Sequence, residues 1–184
     1  MNQITYKIAC LLALMALALP AASAAPEAEF GKMAKSWTLH ADGSQEFRCN
    51  EELTLFTLTA TRMYGETFIV YNPAYQELKI NASYTRQKDG TIVKTPDNAF
   101  VEVLPRNAAD APAFNQLKEM VVVHTGLEPD ATIYLDYSIL TRPGYYAGLD
   151  LNETLQEASP VKAYTLSLSV PEETPLAWQL NGVN

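Results

Sequence analysis

The sequence predicts an all-β protein, an antiparallel β-sandwich of immunoglobulin-like or similar build with few or no helices after an N-terminal export signal. Three observations carry this. Apolar and polar residues alternate with period two over residues 76–85, 132–140 and 161–170, as in half-buried strands. Turn-forming pairs punctuate the chain at Asp42-Gly43, Asn72-Pro73, Asp89-Gly90, Glu128-Pro129 and Pro143-Gly144. Helical patterns are scarce, with only residues 149–156 offering a turn or two. Composition agrees with a globular domain: 184 residues, 48% hydrophobic and 18% charged, long enough for one sizeable core.

The elements follow in order. Residues 1–24 read as a Sec-type signal peptide: Lys7 is basic, residues 8–19 are unbroken apolar, and Ala22-Ser23-Ala24 supplies the small side chains at which such signals are cut. Its apolar run is short of the roughly 20 residues that span a bilayer, and no later run is longer, so no transmembrane segment is expected after cleavage. Residues 25–35 are expected to be an N-terminal linker, and 36–184 a single sandwich domain. In residues 76–85, Leu78, Ile80, Ala82 and Tyr84 share one face, expected to be the core face. Asp89-Gly90 then predicts a type I′ hairpin turn into Thr91-Ile92-Val93. Residues 132–140 place Ile133, Leu135, Tyr137 and Ile139 inward, and residues 161–170 do the same with Tyr164, Leu166, Leu168 and Val170. Weaker strand signals lie at 36–41, 51–62, 67–71, 120–124 and 176–180. Residues 97–116, with Pro105 and Pro112, read as a long loop crossed by the apolar piece 100–104.

The chemistry is tested residue by residue. Removing Lys7 with the signal leaves 12 basic and 21 acidic side chains, a net charge of −9, which repels a polyanion and argues against nucleic-acid binding. Cys49 is then the only thiol, so the fold rests on its core rather than on disulfides. A cysteine hydrolase through Cys49 would need His40 or His124 as base, but Phe47-Arg48-Cys49-Asn50 lies between strand-like segments, without the helix N-terminus that lowers a nucleophilic thiol's pKa. Two distant histidines and one thiol do not make a metal site, and no phosphate-binding glycine loop occurs, so no metal or cofactor is expected. Glu51-Glu52 and Glu172-Glu173 are sequence neighbours, which a strand would point to opposite faces. What remains is Arg142-Pro143-Gly144-Tyr145-Tyr146, where two aromatic rings beside a cation could stack on a sugar or grip a peptide; Arg142, Tyr145 and Tyr146 are the candidate binding residues.

Tyr71-Asn72-Pro73 leading into Gln76-Glu77-Leu78-Lys79-Ile80-Asn81-Ala82, the Lys88-Asp89-Gly90 turn, His124-Thr125-Gly126-Leu127-Glu128-Pro129, Leu135-Asp136-Tyr137, Arg142-Pro143-Gly144-Tyr145 and Ser159-Pro160-Val161-Lys162 occur in that order. With the run to Ser169-Val170-Pro171, this pattern resembles the β-sandwich domain of unknown function that precedes transglutaminase-like domains in exported bacterial proteins. The resemblance covers residue 36 to the C-terminus. One departure is Asp130, where a glycine is expected after Glu-Pro; aspartate tolerates the left-handed conformation such a turn needs. The resemblance implies a non-catalytic module, exported to the periplasm or beyond the cell, that is accessory to a papain-superfamily domain carrying a Cys-His-Asp triad, in cis or in trans. No catalytic residue transfers to this sequence. The alternative is an independent carbohydrate- or peptide-binding module using Arg142, Tyr145 and Tyr146.

Overall fold

A computed structural model describes residues 25–108, 111, 116–179 and 181; the signal-peptide reading lies outside them. Among the described residues no helix is long and apolar enough to cross a membrane. The described residues form nine strands in two sheets. The larger is built from β1 (Ala28–Leu39), β2 (Gln45–Leu55), β4 (Gln76–Arg86), β5 (Ile92–Lys94), β8 (Thr132–Thr141) and β9 (Tyr164–Ser169), in the order β5-β4-β8-β2-β1-β9. The smaller has the order β3-β7-β6, from β3 (Glu66–Tyr71), β6 (Phe100–Val103) and β7 (Lys118–Val123). All pairings are antiparallel except β1 with β9. The two sheets form the expected all-β sandwich.

The small sheet covers only part of the large one. Ile69 and Val122 meet Leu135, Leu78, Ile80 and Ile139 between the sheets. Beyond that overlap the inner face of β1 and β2 buries Phe30, Met33, Leu53 and Leu55 with Ile133, and Ala60 of a short helix, α1 (Leu58–Met63), closes the top. Leu55, Ile133 and Leu135 are at most 2% exposed, each worth about 1.5–3 kcal/mol of burial.

Three expectations about individual elements are corrected, two by bulges. Residues 25–35 are not a linker: β1 begins at Ala28, and Ala28 and Phe30 are core residues. The register steps from Phe30↔Leu53 to Lys32↔Glu52, so Gly31 is the unpaired extra residue. Even positions point inward before it and odd positions, Met33, Lys35 and Trp37, after it, which conceals the alternation from a period-two reading. The same happens in β4, where the register slips between Ile80 and Ala82. Leu78 and Ile80 face the core as expected, but Ala82 is exposed and Tyr84 stacks on Tyr134 at 4.6 Å on the outer face, while Thr85 takes the buried place. The third correction is α1, which overlaps the end of the run 51–62 read as strand: Thr57 accepts a hydrogen bond from the Ala60 amide at 3.1 Å and starts a helix that threonine-rich sequence disguises.

Other elements differ in detail. The β4–β5 hairpin forms, but only Gly90 has positive φ (+89°), and its amide bonds the Gln87 carbonyl at 2.9 Å; the turn is therefore not type I′, which needs positive φ at both central residues. Residues 97–116 contain β6, whose Phe100–Val103 is the apolar piece of the expected loop, flanked by 3₁₀ turns at Asp97–Ala99 and Arg106–Ala108. Residues 149–156 are not helical, and 176–179 form no strand; Leu180 lies outside the described residues. Asp130 does adopt the left-handed conformation, at φ +69°, and its side chain pairs with Lys88 at 2.7 Å.

Candidate functional site

The loop after β8 carries the sequence's candidate residues, and the fold gives them a third ring. Asn72 starts a tight turn between β3 and β4: its carbonyl accepts the Gln76 amide at 2.7 Å, and its side-chain oxygen accepts the Ala74 amide at 3.1 Å. This turn presents Tyr75. The β8 end is tied to it, since the Arg142 amide bonds the Tyr75 carbonyl at 2.9 Å and the Arg142 guanidinium donates to the Ala74 carbonyl at 3.3 Å. Gly144, at φ +82°, turns the chain so that Tyr145 stacks on Tyr75, with centroids 4.5 Å apart and planes 20° apart. Tyr146 meets Tyr145 edge-on, also at 4.5 Å. Tyr75 and Tyr146 remain 43% and 50% exposed, so the structure brings Arg142, Tyr145 and Tyr146 together with Tyr75 as an open aromatic platform. Sequence reading missed Tyr75; the Asn72-Pro73 turn was its only local signal.

One cleft adjoins the platform and a second lies beyond it. The first, of about 390 Å³, lies between Tyr146 and the inner face of β2, β4 and β8, lined by Gln45, Phe47, Gln76 and Ile139 among others. Trp37, packed on Phe47 at 5.0 Å, is shared with the second, of about 660 Å³, bounded by Leu151, Leu155, Leu166, Leu168 and Trp178.

Behind Trp37 the inner face of β1 and β2 becomes ionisable. Lys35 binds Glu153 at 2.5 Å and Glu157 at 3.4 Å, holding the loop between β8 and β9 over the sheet, and the Tyr164 hydroxyl donates to Glu153 at 3.2 Å. Burial opposes the Lys35 charge, but the Glu153 hydrogen bond and carboxylate outweigh it and the net shift is upward. Glu51 is pushed up to about 7 by burial and then by the Glu157 charge. Cys49 is 3% exposed, and burial followed by the Glu51 charge pushes its thiol up to about 12. That is the reverse of an activated nucleophile. We expect native Cys49 to react with iodoacetamide at least a hundredfold more slowly than the unfolded chain; comparable rates would contradict this burial.

The two histidines sit in different settings. His40 is exposed in the turn after β1. His124 is 5% exposed, its Nε2 is 2.9 Å from the Thr67 hydroxyl, and burial pulls it down to about 4, which keeps it neutral. Among the described residues no three His, Cys, Asp or Glu side chains converge as metal ligands.

The outer face of the large sheet carries the polar cluster. Asp136, 8% exposed, accepts from Arg48 Nε and Nη2 at 2.9 and 2.6 Å, from Asn50 at 3.1 Å and from Asn81 at 2.9 Å. The Arg48 hydrogen bond holds its carboxyl below the usual aspartate value, against the pull of burial. Asn81 reaches it because the β4 bulge leaves that residue unpaired.

Residues 41–184 match the model of DUF3857, a domain of unknown function with solved structure. The chain belongs to the DUF3857 family. The DUF3857 match begins just after β1, yet β1 lies between β2 and β9 in the sheet and belongs physically to the same sandwich. The DUF3857 chain is also similar to a solved structure, the 2.00 Å crystal structure of a "putative protease" from Parabacteroides distasonis ATCC 8503, with 76% identity and a TM-score of 0.80. That similarity covers 81% of this DUF3857 chain and 30% of the other, so the chain spans less than one third of that protein's length. No curated protein matches it.

Proposed function

We propose that this DUF3857 chain is a non-catalytic, exported module that serves a transglutaminase-like, papain-superfamily domain, in cis or in trans, by packing against it and presenting its substrate. The observation that carries the reading is the size relation to the 76% identical neighbour: a protein described as a "putative protease" holds a matching module in 30% of its chain, leaving more than two thirds for another activity. The buried, protonated Cys49 supports assigning the chemistry elsewhere. The signal-like residues 1–24 support an exported, periplasmic or extracellular setting. Sequencing the source gene past codon 184 tests the cis form. An open frame encoding Cys, His and Asp at transglutaminase-like spacing supports it, and an immediate stop codon excludes it.

A second reading rests on the stacked Tyr75–Tyr145–Tyr146 platform beside Arg142: direct binding of a glycan or peptide. Joint replacement Tyr145→Ala with Tyr146→Ala is expected to abolish retention on a peptidoglycan or peptide column while moving the thermal midpoint by less than about 3 °C, because Tyr146 is half exposed. A fall of about 8 °C or more would instead make these rings part of the sandwich's closure.

A further inference from the structure

We propose that the free edge of β9, with the apolar cleft beside it, seats an extended, alternately apolar segment of the longer polypeptide by strand addition. This rests on the accessory reading above and names the surface through which it works.

The sheet order places β5 and β9 at opposite edges. The β5 edge is three residues, Ile92–Lys94, ending in a charge, the usual protection of an exposed strand. The β9 edge is twice as long, Tyr-Thr-Leu-Ser-Leu-Ser, with no charge, proline or bulge, and among the described residues nothing pairs with its outer side. Such an edge offers its amides and carbonyls to another strand.

Its side chains point to the same occupant. Leu166 and Leu168 stand on one face and form the floor of the 660 Å³ cleft with Trp37, Leu151, Leu155 and Trp178. Leu166 is 44% exposed, Leu155 43% and Trp178 80%, an apolar surface that is costly to leave in water. A strand added to β9 directs every second side chain to this side of the sheet, so aliphatic residues at alternate positions would fill the cleft while the backbone satisfies the edge. The crystal structure of the 76% identical neighbour supplies the source, since more than two thirds of that chain lies outside the matching region and is tethered to it. Glu153 on the cleft wall is already committed to Lys35, whereas Asp150 is exposed there, favouring a basic residue at the rim of the incoming strand.

Peptide-resolved hydrogen exchange on this chain and on the full-length Parabacteroides distasonis protein tests the proposal. Peptides matching 164–169 should exchange more than tenfold more slowly in the longer protein, while those matching the β5 edge exchange at similar rates in both. Slowing confined to another face, such as the outer side of β3 and β6, overturns the β9 seat but keeps the accessory reading. Equal rates everywhere overturn both the β9 seat and the cis form of the accessory reading.

Discussion

Asp136→Ala lowers the stability of the folded chain by about 2–3 kcal/mol, or roughly 5–10 °C in thermal midpoint. The carboxylate accepts four hydrogen bonds from three side chains of β2 and β4 while standing on β8, so it cross-links the three central strands of the large sheet. Loss of a fully buried ion pair would cost more, but the Arg48 side chain is 53% exposed and recovers water when its partner is removed. The pH dependence has a definite sign. Asp136 is more acidic in the folded chain than in the unfolded one, so its contribution is present above the unfolded pKa of about 4 and is lost as pH falls through the folded value. The deficit of Asp136→Ala relative to the unsubstituted chain should therefore shrink below pH 4. Urea unfolding at pH 7 and pH 3 measures both effects; a deficit under about 0.5 kcal/mol at pH 7 would mean that water replaces the network at no cost.

Glu51→Gln acts in the opposite sense and stabilises the chain at alkaline pH. Glu51 faces Lys35 and Glu157 beneath the loop joining β8 and β9, and its folded pKa of about 7 lies above the ordinary carboxylate value. Between about pH 4.5 and 7 the folded chain holds this proton and the unfolded chain releases it, so stability falls as pH rises through that window and levels off above it. The full shift corresponds to about 3 kcal/mol; residual solvent access to the half-buried side chain reduces the expected gain of Glu51→Gln at pH 8 to about 2 kcal/mol. At pH 5 the variant and the unsubstituted chain should be alike. His124, pulled down to about 4, contributes the reverse slope over about pH 4–6.5, but it is present in both proteins and cancels in their difference. Equal midpoints at pH 5 and pH 8 would show that Glu51 ionises as a surface carboxylate.

Legibility followed the continuity of the alternating pattern. β8 was readable in full because it is the unbroken strand between β2 and β4, with Ile133, Leu135, Tyr137 and Ile139 on the inner face and Asp136 and Ser138 on the other. β1 and the second half of β4 differ from the local pattern because a bulge inserts one residue and exchanges the two faces; Gly31 is a glycine of the kind that marks strand bulges, whereas nothing in a local window marks Asn81. Helix α1 was hidden among threonines, whose strand preference the Thr57 cap and the burial of Ala60 override. At the candidate site, Arg142, Tyr145 and Tyr146 were visible as neighbours in sequence, whereas Tyr75 joins them across 70 residues through the Arg142–Tyr75 backbone hydrogen bond.

The sequence by itself determined the all-β class and the positions of most of the strands and turns, because each depends on period-two burial or on backbone preferences acting within a few residues; the left-handed turn at Asp130 was expected only from the family resemblance. Tertiary structure alone decided the pairing order and the faces beyond each bulge. It also decided that Cys49 and Glu51 would sit beneath the loop between β8 and β9, and that β9 would lie at an open edge above an apolar cleft. Those outcomes depend on which distant segments exclude water from a residue, a property of the assembled sheets that local alternation does not encode.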